Sequence, residues 1–108
     1  MTIEEYLGQI AENSESYFQA HLAKEDLLRV ERLSAMAAAT SDLETLQKEA
    51  LYSGWTPGDL RTGELKDVLL PLIAAFHARA HGADGEAELL DAWKRFHEQR
   101  IKVLIHCL

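Results

Sequence analysis

The sequence predicts an all-α fold, a single-domain bundle of about five helices with mostly antiparallel neighbours. Three observations lead there. Helix-breaking residues are scarce, with 2 prolines and 6 glycines in 108 residues. The glycines gather at Gly54, Gly58 and Gly63 and at Gly82 and Gly85, with Gly8 alone elsewhere. Apolar residues recur every three or four positions along most of the chain, the period of a helix with one buried face. No stretch alternates apolar with polar in the company of β-branched residues, so no strand is expected.

Each element has its own warrant. The first helix starts at Thr2, with Glu5 three residues on as the other half of a capping box. Ile3, Tyr6, Leu7, Ile10, Tyr17 and Phe18 continue one stripe. One long helix to about Leu22 is therefore expected, with a break at Asn13-Ser14 as the alternative. The second helix runs from about Glu25 to Thr40 and turns Leu27, Val30, Leu33 and Ala37 inward. Its run Ala35-Met36-Ala37-Ala38-Ala39 is a strong helix former whose small side chains permit close approach of a neighbour.

Ser41-Asp42-Leu43-Glu44 is a second capping box and opens the third helix. That helix carries Leu43, Leu46, Ala50 and Leu51 on its inner face and stops near Ser53-Gly54. A loop follows over 54–63, where Pro57-Gly58 suits the centre of a type II turn and Trp55 is read as a plug on the core. The fourth helix, from about Gly63 to His81, has a wide apolar face of Leu65, Val68, Leu69, Leu72, Ile73 and Phe76. Pro71 inside it removes a backbone hydrogen bond and predicts a kink or short break. The fifth helix runs from about Glu86 to Cys107, with Leu89, Leu90, Trp93, Phe96, Ile101, Val103, Leu104 and Leu108 in its apolar sector.

Composition narrows the function. Asp and Glu number 18 against 11 Lys and Arg, a net charge of −7, while 47% of residues are apolar. Such a chain buries a core, and it is too interrupted by charge to span a membrane. The acidic excess argues against coating nucleic acid, which rests on Lys and Arg neutralising phosphates. The lone Cys107 excludes an intramolecular disulfide, and no Cys-x-x-Cys pair offers a finger-type zinc site. Met1-Thr2-Ile3-Glu4-Glu5 is acidic where a secretory leader is basic, so a cytoplasmic location is expected.

Few residues carry chemistry. His77 and His81 stand i, i+4 on one side of the fourth helix, a spacing that brings two imidazoles to one metal ion. A metal needs further ligands. The same pair also reads as two surface histidines at a helix C-terminus, where the dipole favours a cation. Arg100 is the larger oddity. It falls in the middle of the fifth helix's apolar sector, between Leu89, Trp93, Phe96 and Leu104, with His97 beside it. A charge there is either paired within the chain, with Glu12, Glu15 or Asp67 as candidates, or left for a partner's surface. No serine sits in a Gly-x-Ser-x-Gly elbow, and His106 and Cys107 point ~100° apart. No cofactor is implied.

Two resemblances deserve naming for their residues. Arg100 and His106 form an Arg-x5-His string that resembles the loose motif of HEPN ribonucleases, which are small all-α dimers. The resemblance implies an RNA-cleaving pair, although Ile101 stands where that family usually carries a polar residue. A ~240° helical rotation also separates the two side chains. His21 and Glu25, followed by His77 and His81, are similar to part of the hemerythrin ligand order. Its first lone histidine and its final His-x4-Asp are missing.

The expected function is a non-catalytic protein–protein interaction module: an adaptor, an inhibitor or immunity-type protein, or a small accessory subunit. Homodimerisation is expected through the fourth and fifth helices, whose apolar stripes look too wide for a small bundle and gain Leu70 and Ile105 outside the main sectors. Trp93, Phe96, His97, Arg100 and Leu104 are the expected interface or ligand residues. The alternatives are a metal at His77 and His81, a small anion at Arg100 and His97, or a HEPN-like ribonuclease.

Overall fold

A computed structural model describes residues 1–52, 62–82 and 85–107, with the side chains of 1–51, 65–82 and 85–103. The predicted loop with Trp55 and Pro57-Gly58 lies outside the described residues, as do the side chains of Leu104, Ile105, His106 and Cys107. The fold is an all-α bundle of α1 (Ile3–Asn13), α2 (Tyr17–Ala39), α3 (Leu43–Tyr52), α4 (Thr62–Ala80) and α5 (Glu86–Cys107). Among the described residues there is no strand, and no helix is long and apolar enough to cross a membrane.

Thr2 caps α1 as the sequence indicates, its hydroxyl accepting from the Glu5 N–H at 3.1 Å. The chain then divides where the alternative placed it. It breaks over 14–16 and runs unbroken through Leu22 and Glu25. Local serine chemistry explains the break. Ser14 closes α1 with an extended backbone, and its Oγ accepts from the Ser16 N–H at 3.2 Å. The Ser16 hydroxyl accepts from the Gln19 N–H at 3.3 Å and caps α2. Such bonds offer the backbone an alternative to continued helix. The consequence is architectural: α1 folds back on α2, and Asp26 becomes a mid-helix residue instead of a first-turn acid.

α3 is capped by Asp42 and not by Ser41. The Asp42 carboxylate accepts from the Thr45 hydroxyl at 2.7 Å and the Thr45 N–H at 3.0 Å. Those two bonds, the hydroxyl first, hold its pKa below the usual carboxylate value. α4 runs through Pro71 without a break. Pro71 and Asp67, whose carbonyl loses its helical donor, are both exposed, on a side of α4 open to solvent. Gly82 turns the chain after α4 with φ of 94°, a left-handed conformation that suits glycine.

The α1–α2 hairpin packs against the α4–α5 hairpin, and α3 rests on α4. Phe76, Trp93 and Phe96 meet edge to face at the centre, with ring centroids 6.5 and 5.4 Å apart. Leu65, Leu69, Leu72, Ile73 and Phe76 of α4, and Leu89, Trp93 and Phe96 of α5, are buried by the chain itself. The stripes expected at a dimer seam are therefore largely spent on this core. At one end Arg79 of α4 reaches Glu4 of α1 at 3.0 Å, the Ser34 hydroxyl of α2, and Glu86 of α5 at 3.4 Å. One guanidinium thus fastens four helices.

Candidate functional site

Arg100 is paired within the chain, but with none of the acids expected. Asp26 of α2 takes it in a two-pronged contact, Nη1 to Oδ1 at 2.8 Å and Nη2 to Oδ2 at 2.7 Å. Both side chains are almost fully buried, at 1% and 2% exposed. Arg29 adds a third donor to Asp26 Oδ1 at 2.9 Å, and Glu25 stands 3.6 Å from Arg29. Two guanidiniums therefore meet two carboxylates, and the cluster carries no net charge. The Arg100 guanidinium also lies over the Phe96 ring, 4.8 Å from its centroid. Its Nε has no hydrogen-bond partner among the described residues.

His97 completes the cluster. Its Nδ1 lies 3.0 Å from Arg100 Nη2. A guanidinium can only donate, so Nδ1 accepts and the ring hydrogen sits on Nε2. Burial first, and then the Arg100 charge, push the His97 pKa below its ordinary value, against weaker pulls from Asp26 and Glu98. His97 is accordingly a neutral imidazole at neutral pH.

Asp26 and His97 form the polar floor of a cavity of about 470 Å³ between α1, α2 and α5. Tyr6, Leu7, Ile10, Leu22 and Trp93 supply apolar wall, and Asn13, Ser14 and Gln19 line the side where α1 turns into α2. The break at 14–16 therefore shapes the cavity as well as the hairpin. Of the expected site residues, Trp93 and His97 line this space, while Phe96 and Arg100 lie beneath it in the core. Arg100 is sealed by Asp26, out of reach of a phosphodiester, which removes the first half of the Arg-x5-His pair from any RNA.

His77 and His81 do stand together, with ring centroids 4.5 Å apart. Their Nε2 atoms, however, meet the backbone carbonyls that follow and end α2. His81 Nε2 lies 2.9 Å from Ala37 O and 3.1 Å from Thr40 O, and His77 Nε2 lies 2.8 Å from Ser41 O. A carbonyl only accepts, so each Nε2 carries a hydrogen and donates. Among the described residues no three His, Cys, Asp or Glu side chains gather as a metal site. The pair is a tertiary cap for the end of α2. His21 pairs with Glu25 at 3.2 Å on the outer side of α2.

That outer side carries what the sequence reading missed. Tyr17, Phe18 and Leu28 are 86%, 56% and 68% exposed, the large apolar side chains left uncovered along α2. Tyr17 and Phe18 had counted toward a buried stripe. The cap at Ser16 sets them at the start of a new helix, facing out. Ser16-x-x-Gln19 has the spacing of a capping box, and that signal locates the turn.

No family model matches the chain, and no curated protein or solved structure matches it.

Proposed function

We propose that the chain is a non-catalytic protein–protein interaction module whose docking surface is the outward face of α2. The observation that carries this reading is the exposure of Tyr17, Phe18 and Leu28 on a helix otherwise firmly packed. Large aromatics at a surface are costly to leave wet, and they supply much of the binding energy where partners meet. The assignment to the fourth and fifth helices lacks this support, because Leu65, Leu69, Leu72, Ile73, Phe76, Leu89, Trp93 and Phe96 are occupied in the core. The test is capture from the source cell by a tagged chain, wild type against Tyr17→Ser/Leu28→Ser. Both substituted side chains are exposed, so the melting temperature stays unchanged. A protein held by the wild type and lost by the variant is the expected result. The same set held by both overturns the reading.

The cavity supports a second reading, a binding site for a small molecule. Its volume of about 470 Å³ and mainly apolar wall suit a compact organic ligand. The ligand chemistry differs from the anion first expected, because Asp26 already neutralises Arg100. A neutral molecule with a hydrogen-bond acceptor for the imidazole N–H fits better. Neutral fragments that raise the melting temperature of the wild type, and not of Leu22→Trp, support it. Anionic fragments that bind better than neutral ones contradict it.

A further inference from the structure

The geometry points to a second copy of this chain as the occupant of the α2 face, laid antiparallel across a twofold axis at Leu28. This inference rests on α2 being the docking surface and names what docks there. Leu28 stands eleven residues from each end of α2, at its midpoint. At ~100° per residue, Tyr17, His21, Ala35 and Ala39 fall within ~20° of the line through Leu28. Lys24 and Glu31 lie ~40–60° to one side of that line, and Arg32 and Glu25 lie equally far to the other. All of these side chains are exposed except Glu25, which is half-buried.

This layout is self-complementary. A twofold axis in the seam, perpendicular to two antiparallel helices, brings like flanks together. Lys24 then faces the partner's Glu31 on one flank, and Glu25 faces the partner's Arg32 on the other. Each axial offset is about 1.5 Å, one residue's rise. Four opposite-charge pairs result, and no like charges meet. Along the centre line, Leu28 meets the partner's Leu28. The bulky Tyr17 and His21 oppose the partner's Ala39 and Ala35, so large side chains fill the space that small ones leave.

Two further facts favour a copy over a different protein. The chain carries a net charge of −7, which opposes meeting itself almost anywhere. On this face Glu25 is already set against Arg29, and Lys24 and Arg32 at least balance Glu31, so that penalty is absent locally. Lys24, Glu31 and Arg32 also have no ion pair among the described residues, and their charges are available across the seam.

Sedimentation velocity over a concentration series tests the proposal. The wild type is expected to pass from monomer to dimer in the micromolar range. Lys24→Glu alone and Glu31→Lys alone each weaken the dimer roughly tenfold, and the double swap restores it to within ~3-fold. In a Cys107→Ser background, Leu28→Cys forms a disulfide-linked dimer faster than Ala38→Cys, which lies ~80° off the line. A monomer at every concentration overturns the second copy. The capture experiment with Tyr17→Ser/Leu28→Ser still decides the docking surface in that case. A dimer indifferent to Lys24→Glu, or one in which the double swap fails to restore association, overturns the antiparallel seam.

Discussion

Removing Asp26 is expected to damage the fold more than removing Arg100, and removing both is expected to cost little. The asymmetry follows from the contacts. Asp26→Leu leaves the Arg100 guanidinium, 1% exposed, with only His97 Nδ1 as an acceptor. An uncompensated buried charge costs ~3–5 kcal/mol. Arg100→Met leaves Asp26 with Arg29 still at 2.9 Å, so its cost is closer to ~2 kcal/mol. The double variant replaces the pair with two apolar side chains, and the adjoining cavity gives the leucine room. It is expected within ~1 kcal/mol of the wild type. For a chain of this length ~1 kcal/mol moves the melting temperature by ~4 °C, so Asp26→Leu melts ~12–20 °C lower. Urea melts of the four proteins give the coupling energy, expected at ~4–7 kcal/mol from the summed single losses less the small double loss. Additive losses refute the pairing. A double variant as weak as Asp26→Leu alone refutes the claim that the unmatched charge is what costs.

Three more outcomes follow from the same contacts. The His97 pKa is depressed in the folded chain, so its contribution is fully present above the unfolded value of ~6.5 and is lost as pH falls through the folded value. Wild type therefore loses stability relative to His97→Gln on acidification below ~6.5, and parallel pH curves for the two rule this out. His81→Ala removes the donor to Ala37 O and Thr40 O and is expected to cost ~1–2 kcal/mol, read as faster amide exchange near the end of α2; unchanged exchange there contradicts the capping role. Ser16→Ala removes the cap of α2 and costs ~1 kcal/mol in a thermal melt, whereas Ser16→Asp keeps it; equal losses for the two deny the cap.

The helix count, the starts of α1 and α5 and the bounds of α3 and α4 to within about two residues were legible because periodicity and caps agree there. The α1–α2 boundary was not, because Tyr17 and Phe18 continue the phase of the stripe begun at Ile3. Periodicity carried the helix on where two serines end it. That one misplaced boundary also hid the partner of Arg100. With a helix starting near Glu25, Asp26 reads as a first-turn acid. In the unbroken α2 it interrupts a buried row of Ala23, Val30, Leu33 and Ala37, just as Arg100 interrupts the row on α5. Opposite charges, one in each apolar row, announce a pair once the boundary is right. The spacing of His77 and His81 was plain, but spacing carries no record of the carbonyls of α2, which arrive through tertiary packing. The cavity has no linear signature either, since its walls come from three helices.

The central functional claim is that the chain meets its partner along the outer side of α2. Backbone amide shifts followed by NMR, from dilute to concentrated protein, test it most directly. The claim predicts that shifts grow at Tyr17, His21, Leu28 and Arg32 while the amides of α4 and α5 hold still. Shifts confined to α4 and α5 contradict it, whereas a spectrum that does not change with concentration overturns the second copy and leaves the docking surface to the capture experiment.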